Sequence, residues 1–267
     1  MSDFERNASS MRYDQALSPA EAMAVDAGLR AYMLRVYNYM VLGLAITGFA
    51  ALGIYMLSVT SDPTLAAKGV RALRGGVYLT EFGRVLFVSP LKWAVILAPL
   101  ALVFVLSFGV ERMRPAFGQI LFWVYAALVG VSLAVIFMVY TQTSIVRVFF
   151  ITAASFGALS LWGYTTQRDL TGMGSFLLMG LFGVIIAALV NLFLQSSALQ
   201  FIISIIGVLV FAGLTAWDTQ RLKNEYIYGG MDGETTERSA ILGALSLYLN
   251  FINLFTLLLQ LLGQREE

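Results

Sequence analysis

The sequence contains no cysteine and no histidine. Without cysteine there are no disulfides, no thiolate metal sites and no thiol catalysis, and the redox compartment leaves no mark. Without histidine, Ser–His and Cys–His nucleophile activation, the two-histidine zinc helix and imidazole pH sensing are all excluded. A chain of this kind can sense pH near neutrality only through a carboxylate. No Walker-type phosphate loop and no G-x-S-x-G elbow occurs either, so an enzyme is not expected. Charge is scarce as well: 12% of the 267 residues are charged, against roughly 25% in soluble domains. The few charges balance, with 17 Lys and Arg against 16 Asp and Glu. The basic patches that nucleic-acid binding requires are missing, and no nucleic-acid partner is expected.

What is present is apolar. Hydrophobic residues make up 59% of the chain, and a surface so poor in charge calls for lipid rather than water as its solvent. Apolar runs long enough to cross roughly 30 Å of hydrocarbon recur at 36–59, 93–110, 117–140, 145–164, 175–194, 199–217 and 240–262. They predict an all-α integral membrane protein of seven spans, with residues 31–267 as the membrane domain. The first 30 residues are polar and mixed in charge. They lack the basic and apolar regions of a signal peptide and read as a disordered tail.

Lysine and arginine near the spans set the orientation. With the N-terminus inside, the inner side holds 10 of the 17 cations and the outer side 7, five of those in the first outer loop, 60–92. The remaining loops favour the inside, so a cytoplasmic N-terminus is expected. Small residues spaced by four, Ala153 with Gly157 and Gly183 with Ala187, lie on single helix faces where backbones can approach closely. Trp93, Trp123, Trp162 and Trp217 mostly fall near span ends, as interfacial anchors do.

The last span carries Ser246, Asn250, Asn253, Thr256 or Leu257, and Gln260 at offsets of three or four, one stripe along one helix face. An unpaired amide in hydrocarbon costs several kcal/mol, so the stripe must face protein or water and the helix must be surrounded by the others. The stripe serves either as inter-helix hydrogen bonding or as a polar route. Asp218 is the carboxylate that directly abuts an apolar span. It lies about 28 Å along the span from Leu199, near the inner interface. From depth alone it reads as a solvated helix end, with Arg112 and Arg114 at the same depth as partners. Asn250 would lie about 15 Å into the last span, level with Asp218 only if that helix starts earlier, near Thr236.

At these residues the chain, from about Val36 to Leu262, resembles the Bax inhibitor-1 superfamily in its bacterial branch. The segments that carry the resemblance are Val36-Tyr37-Asn38-Tyr39-Met40, the run Phe150–Gly163 continued by Tyr164-Thr165-Thr166, and Gly172-Met173-Gly174-Ser175. Two more are Thr215-Ala216-Trp217-Asp218-Thr219-Gln220 and Leu247-Tyr248-Leu249-Asn250-Phe251-Ile252-Asn253-Leu254-Phe255. The resemblance implies a seven-helix bundle with the last helix central, in a bacterial inner membrane. It also implies a pH-sensitive passive leak of Ca²⁺, with two aspartates on the sixth and seventh helices sharing protons at the gate. Asp218 matches the first. The second departs from the family's usual Leu-Asp-Phe, because this chain reads Leu249-Asn250-Phe251. Two close carboxylates cannot both ionise readily, whereas Asn250 brings no charge. A weaker or more acidic pH response is therefore expected.

These observations give one leading expectation: a proton-modulated cation leak with Asp218 and Asn250 as gate and pH sensor. Arg112 or Arg114 serves as latch, and Ser246, Asn253 and Gln260 form the polar pathway. Asp218 would be a weak, transient Ca²⁺ waypoint, since Ca²⁺ takes six to eight oxygen ligands, and no tightly bound cofactor is expected. The partners are then the lipid bilayer, Ca²⁺ and protons. The alternative is an interaction protein without transport, such as a regulator of a membrane-bound protease, with a membrane protein as partner and the polar tail as its working part.

Overall fold

The computed structural model describes residues 19–67, 76–229 and 233–265. Seven helices are long and apolar enough to cross a membrane, and each coincides with one of the seven apolar runs. They are α1 (Pro19–Ser58), α3 (Leu91–Gly109), α4 (Pro115–Leu133), α6 (Gln142–Thr165), α7 (Thr171–Leu194), α8 (Ser197–Tyr228) and α9 (Gly233–Leu262). Between them lie two short helices, α2 (Glu81–Phe87) after the first span and α5 (Ile136–Val139) as the end of the third. Strands β1 (Val59–Thr60) and β2 (Tyr78–Leu79) pair antiparallel in the loop after the first span. A helix suits hydrocarbon because it satisfies every backbone polar group within itself. The ends are set locally by side-chain caps: Thr80 on Gly83, Thr141 on Ser144 and Ser196 on Leu199.

Three helices run well past their apolar cores. The first span reaches back to Val25, the sixth on to Tyr228 and the seventh back to Gly233. Hydropathy ends where the lipid ends, but helical hydrogen bonding continues into the headgroups and water. Helix α1 itself starts at Pro19 and so takes in residues first assigned to the polar tail. Residues 1–18 of that tail lie outside the described residues.

The last helix is the centre of the bundle. It packs against α1, α4, α6 and α8, and 61% of its apolar window is buried, against 39% in α8 and 6% in α3. Its polar stripe is the reason: a helix with amides on one face cannot stand against lipid. The main core gathers around it, with Phe122 and Tyr125 edge-on to the fully buried Tyr248. The Tyr248 hydroxyl is hydrogen-bonded to Thr47 at 2.7 Å.

The small-residue pairs behave differently from expectation. A Cβ placed on Gly157 or Gly183 would meet nothing within 4 Å, so neither marks a close helix approach. The close approaches occur at Gly130, against the backbone of Thr47, and at Gly163, against the backbone of Ala216. A spacing of four places two small residues on one face, but helix rotation in the bundle decides whether that face meets a neighbour.

Candidate functional site

Asp218 sits within α8, 4% exposed, ten residues before the helix ends at Tyr228. It is therefore a buried carboxylate inside the bundle, not a solvated helix end. Three groups hold it. Asn250 Nδ2 donates to Oδ2 at 2.7 Å and Ser246 Oγ donates to the same oxygen at 2.9 Å. Arg221, one turn further along α8, forms an ion pair with Oδ1 at 2.8 Å. The early start of α9 at Gly233 is what brings Asn250 level with Asp218. Burying a carboxylate costs several kcal/mol unless it is paired and hydrogen-bonded, and this one has both.

The latch differs from expectation. Among the described residues the ion pair to Asp218 comes from Arg221, and neither Arg112 nor Arg114 enters one with it. Arg112 ends a short 3₁₀ turn and Arg114 precedes α4. The signal for Arg221 was in the sequence, since residues three apart on a helix are neighbours. Arg221 is anchored from a second side, its guanidinium lying 5.0 Å from the Trp217 ring centroid. It is half-exposed, so it joins the buried carboxylate to the aqueous side of the site.

The polar stripe of α9 divides into separate groups. Ser246 and Asn250 belong to Asp218. Asn253 Nδ2 donates to Leu249 O of its own helix at 2.8 Å, and Thr256 returns to Ile252 O. Gln260 Oε1 accepts from Gln200 Nε2 at 2.7 Å and Ser204 Oγ at 2.8 Å. Gln200 in turn accepts from Asn191, so this second cluster ties α7, α8 and α9 together at the opposite end of the spans. Between the two clusters, Phe211, Leu214, Leu254 and Leu257 are buried in one apolar group. Gly207 lets Leu257 press against α8, with 2.7 Å between Leu257 Cδ1 and a Cβ placed on the glycine. The stripe is thus two polar clusters separated by a buried apolar group.

Neighbouring residues fix α8 in place. Gln220 clamps the α6–α7 turn, donating from Nε2 to Arg168 O at 2.7 Å and accepting from Leu170 N at 2.8 Å. Thr219 is hydrogen-bonded to Ser160 at 2.9 Å, and Ser160 to the Tyr37 hydroxyl. This chain connects α8 to α6 and α1 immediately beside Asp218. In the turn itself, Asp169 accepts from Thr171 Oγ1 and from Thr171 N. Both bonds, the side-chain one foremost, hold its carboxyl below the ordinary carboxylate value. Apart from the local Asp169–Thr171 turn, none of these contacts was anticipated, because each depends on which helices adjoin.

Fold and site together define a multi-pass membrane protein whose central helix and its neighbour enclose one paired carboxylate. The family model for inhibitors of apoptosis-promoting Bax1 matches residues 29–267. The chain is 48% identical to RP147 of Rickettsia prowazekii, over 91% of this chain and 93% of that protein. It is 44% identical to the inner membrane protein YbhL of Escherichia coli K12, over 90% of this chain and 94% of that one. A Caulobacter vibrioides protein is 43% identical over the full length of both. The chain belongs to the Bax inhibitor-1 family.

Proposed function

We propose that this protein is a passive, proton-modulated cation leak, with Ca²⁺ as its ion, in a bacterial inner membrane with its N-terminus cytoplasmic. The observation that carries the reading is the buried Asp218, paired with a half-exposed Arg221 and facing an apolar plug. At neutral pH the ionised carboxylate holds Arg221 and fixes α8 against Ser246 and Asn250 of α9. Protonation removes the charge that Arg221 answers, the guanidinium turns to water, and α8 is free to shift against α9. Such a shift loosens Leu254 and Leu257 against α8 and joins the two polar clusters into one path. A permeating ion would find one carboxylate with hydroxyl and amide oxygens at Asp218, too few for tight binding and suited to passage.

The test is Ca²⁺ flux into proteoliposomes across about pH 5 to 8. Arg221→Gln is expected to raise the leak at neutral pH about fivefold, the worth of one half-exposed ion pair of about 1 kcal/mol. Arg112→Gln and Arg114→Gln are expected to leave it unchanged. Asn250→Asp sets a second carboxylate against Asp218, and two such groups cannot ionise together. The conducting transition is then expected to move to higher pH. No flux above empty liposomes in any variant would end the transport reading.

A further inference from the structure

A crevice of about 1400 Å³ runs between α1 and α6, floored by Phe251 and Phe255 of α9. Its wall on α1 runs from Met23 to Leu52, and the stretch from Arg30 to Leu52 alone rises about 33 Å, enough to span the hydrocarbon thickness of roughly 30 Å. The lining is apolar over almost all of this length. Gly48 of α1 and Gly157 of α6 both line it, and a Cβ on either would meet nothing within 4 Å. So apolar a lining offers water few partners, and for a span of this length the neighbouring solvent is acyl chain.

One end of the crevice is charged. Asp26 and Arg30 line its mouth, one helical turn apart, and both are exposed. Among the described residues neither enters an ion pair, with the other or with any third group. An unpaired cation and an unpaired anion side by side complement a zwitterion rather than a simple anion. We infer that this end of the crevice is a binding site for a phosphoethanolamine glycerolipid of the adjacent leaflet. Arg30 takes the phosphate, Asp26 takes the ammonium, and an acyl chain lies along Leu34, Val41 and Ala45 of α1. An anionic glycerolipid has no group for Asp26 and is repelled by it.

The site also reaches the buried carboxylate. Tyr37 and Ser160 both line the crevice, and their contact continues through Ser160 to Thr219, the residue next to Asp218. A lipid that holds α1 and α6 at this separation supports the same hydrogen bonds that position α8. The binding itself does not depend on whether the protein conducts ions, and it is measured without flux.

The experiment reconstitutes the full chain in nanodiscs of equimolar phosphatidylethanolamine and phosphatidylglycerol, then identifies co-retained lipid by native mass spectrometry. Wild type is expected to keep phosphatidylethanolamine in preference to phosphatidylglycerol. Gly157→Trp projects a bulky side chain into the crevice from a position where a Cβ meets no protein atom, and it is expected to lower retention while the protein stays folded. Arg30→Gln is expected to lower retention of both lipids about fivefold, the effect of one interfacial cation. Asp26→Asn is expected to lower the preference for phosphatidylethanolamine. Equal retention of both lipids by wild type, or retention unchanged in Gly157→Trp, would overturn the proposal. So would a second protein chain cross-linked across Gly48 and Gly157 in place of lipid.

Discussion

Asp218→Asn is expected to make cation flux independent of pH between about 5 and 8, at the level wild type reaches when acidified. Asparagine has almost the same shape and can keep contacts to Ser246 and Asn250, so the bundle remains assembled. What it lacks is the charge. On the proposed reading the charge of Asp218 and its pair with Arg221 hold the path closed, and asparagine supplies neither. At the alkaline end the variant should therefore conduct at least about fivefold more than wild type, the same half-exposed pair setting the scale. Flux measured in proteoliposomes at each pH decides it. A pH transition that survives in Asp218→Asn would place the sensor elsewhere in the chain, and histidine could not supply it, since there is none.

The largest stability effect is expected at Gly163. A Cβ there would overlap the carbonyl oxygen of Ala216, with the Ala216 Cα just behind it. Backbone cannot yield as a flexible side chain does, so α6 and α8 would have to separate. That separation breaks the bond between Ser160 and Thr219 (2.9 Å). Overpacking typically costs about 1–3 kcal/mol, and this contact belongs at the upper end. Gly163→Ala is then expected to lower Tm by about 6–12 °C for a chain of this size, read by thermal unfolding in detergent. Gly157→Ala, on the same helix, meets open space and should leave Tm within about 2 °C. Equal Tm values for the two variants would show that α6 and α8 are not held at this distance.

The two glycines also mark a boundary in what can be read without coordinates. Both lie in α6, both are flanked by apolar residues, and Gly157 has the better small-residue spacing. Only Gly163 touches a neighbour. Polar residues divide in the same way. Asp218 stood out as the carboxylate beside an apolar span, and Ser246, Asn250, Asn253 and Gln260 stood out as a stripe. Which of them meet was not legible: Ser246 and Asn250 close on Asp218, Asn253 turns back on its own helix, and Gln260 joins Gln200 and Ser204 at the far end.

By itself, the sequence determined the seven spans, the central place of the last helix and the family, because these rest on local properties. Hydrocarbon thickness sets the length of an apolar run, and a stripe of amides excludes lipid contact on that face. Only the tertiary structure decided that neither Arg112 nor Arg114 pairs with Asp218, that an apolar group interrupts the polar stripe, and that α1 and α6 stand apart around a crevice. Those outcomes depend on the rotation and relative depth of helices distant in the chain. A single turn of rotation or an early start such as that of α9 changes every partner while leaving the hydropathy of each span as it was.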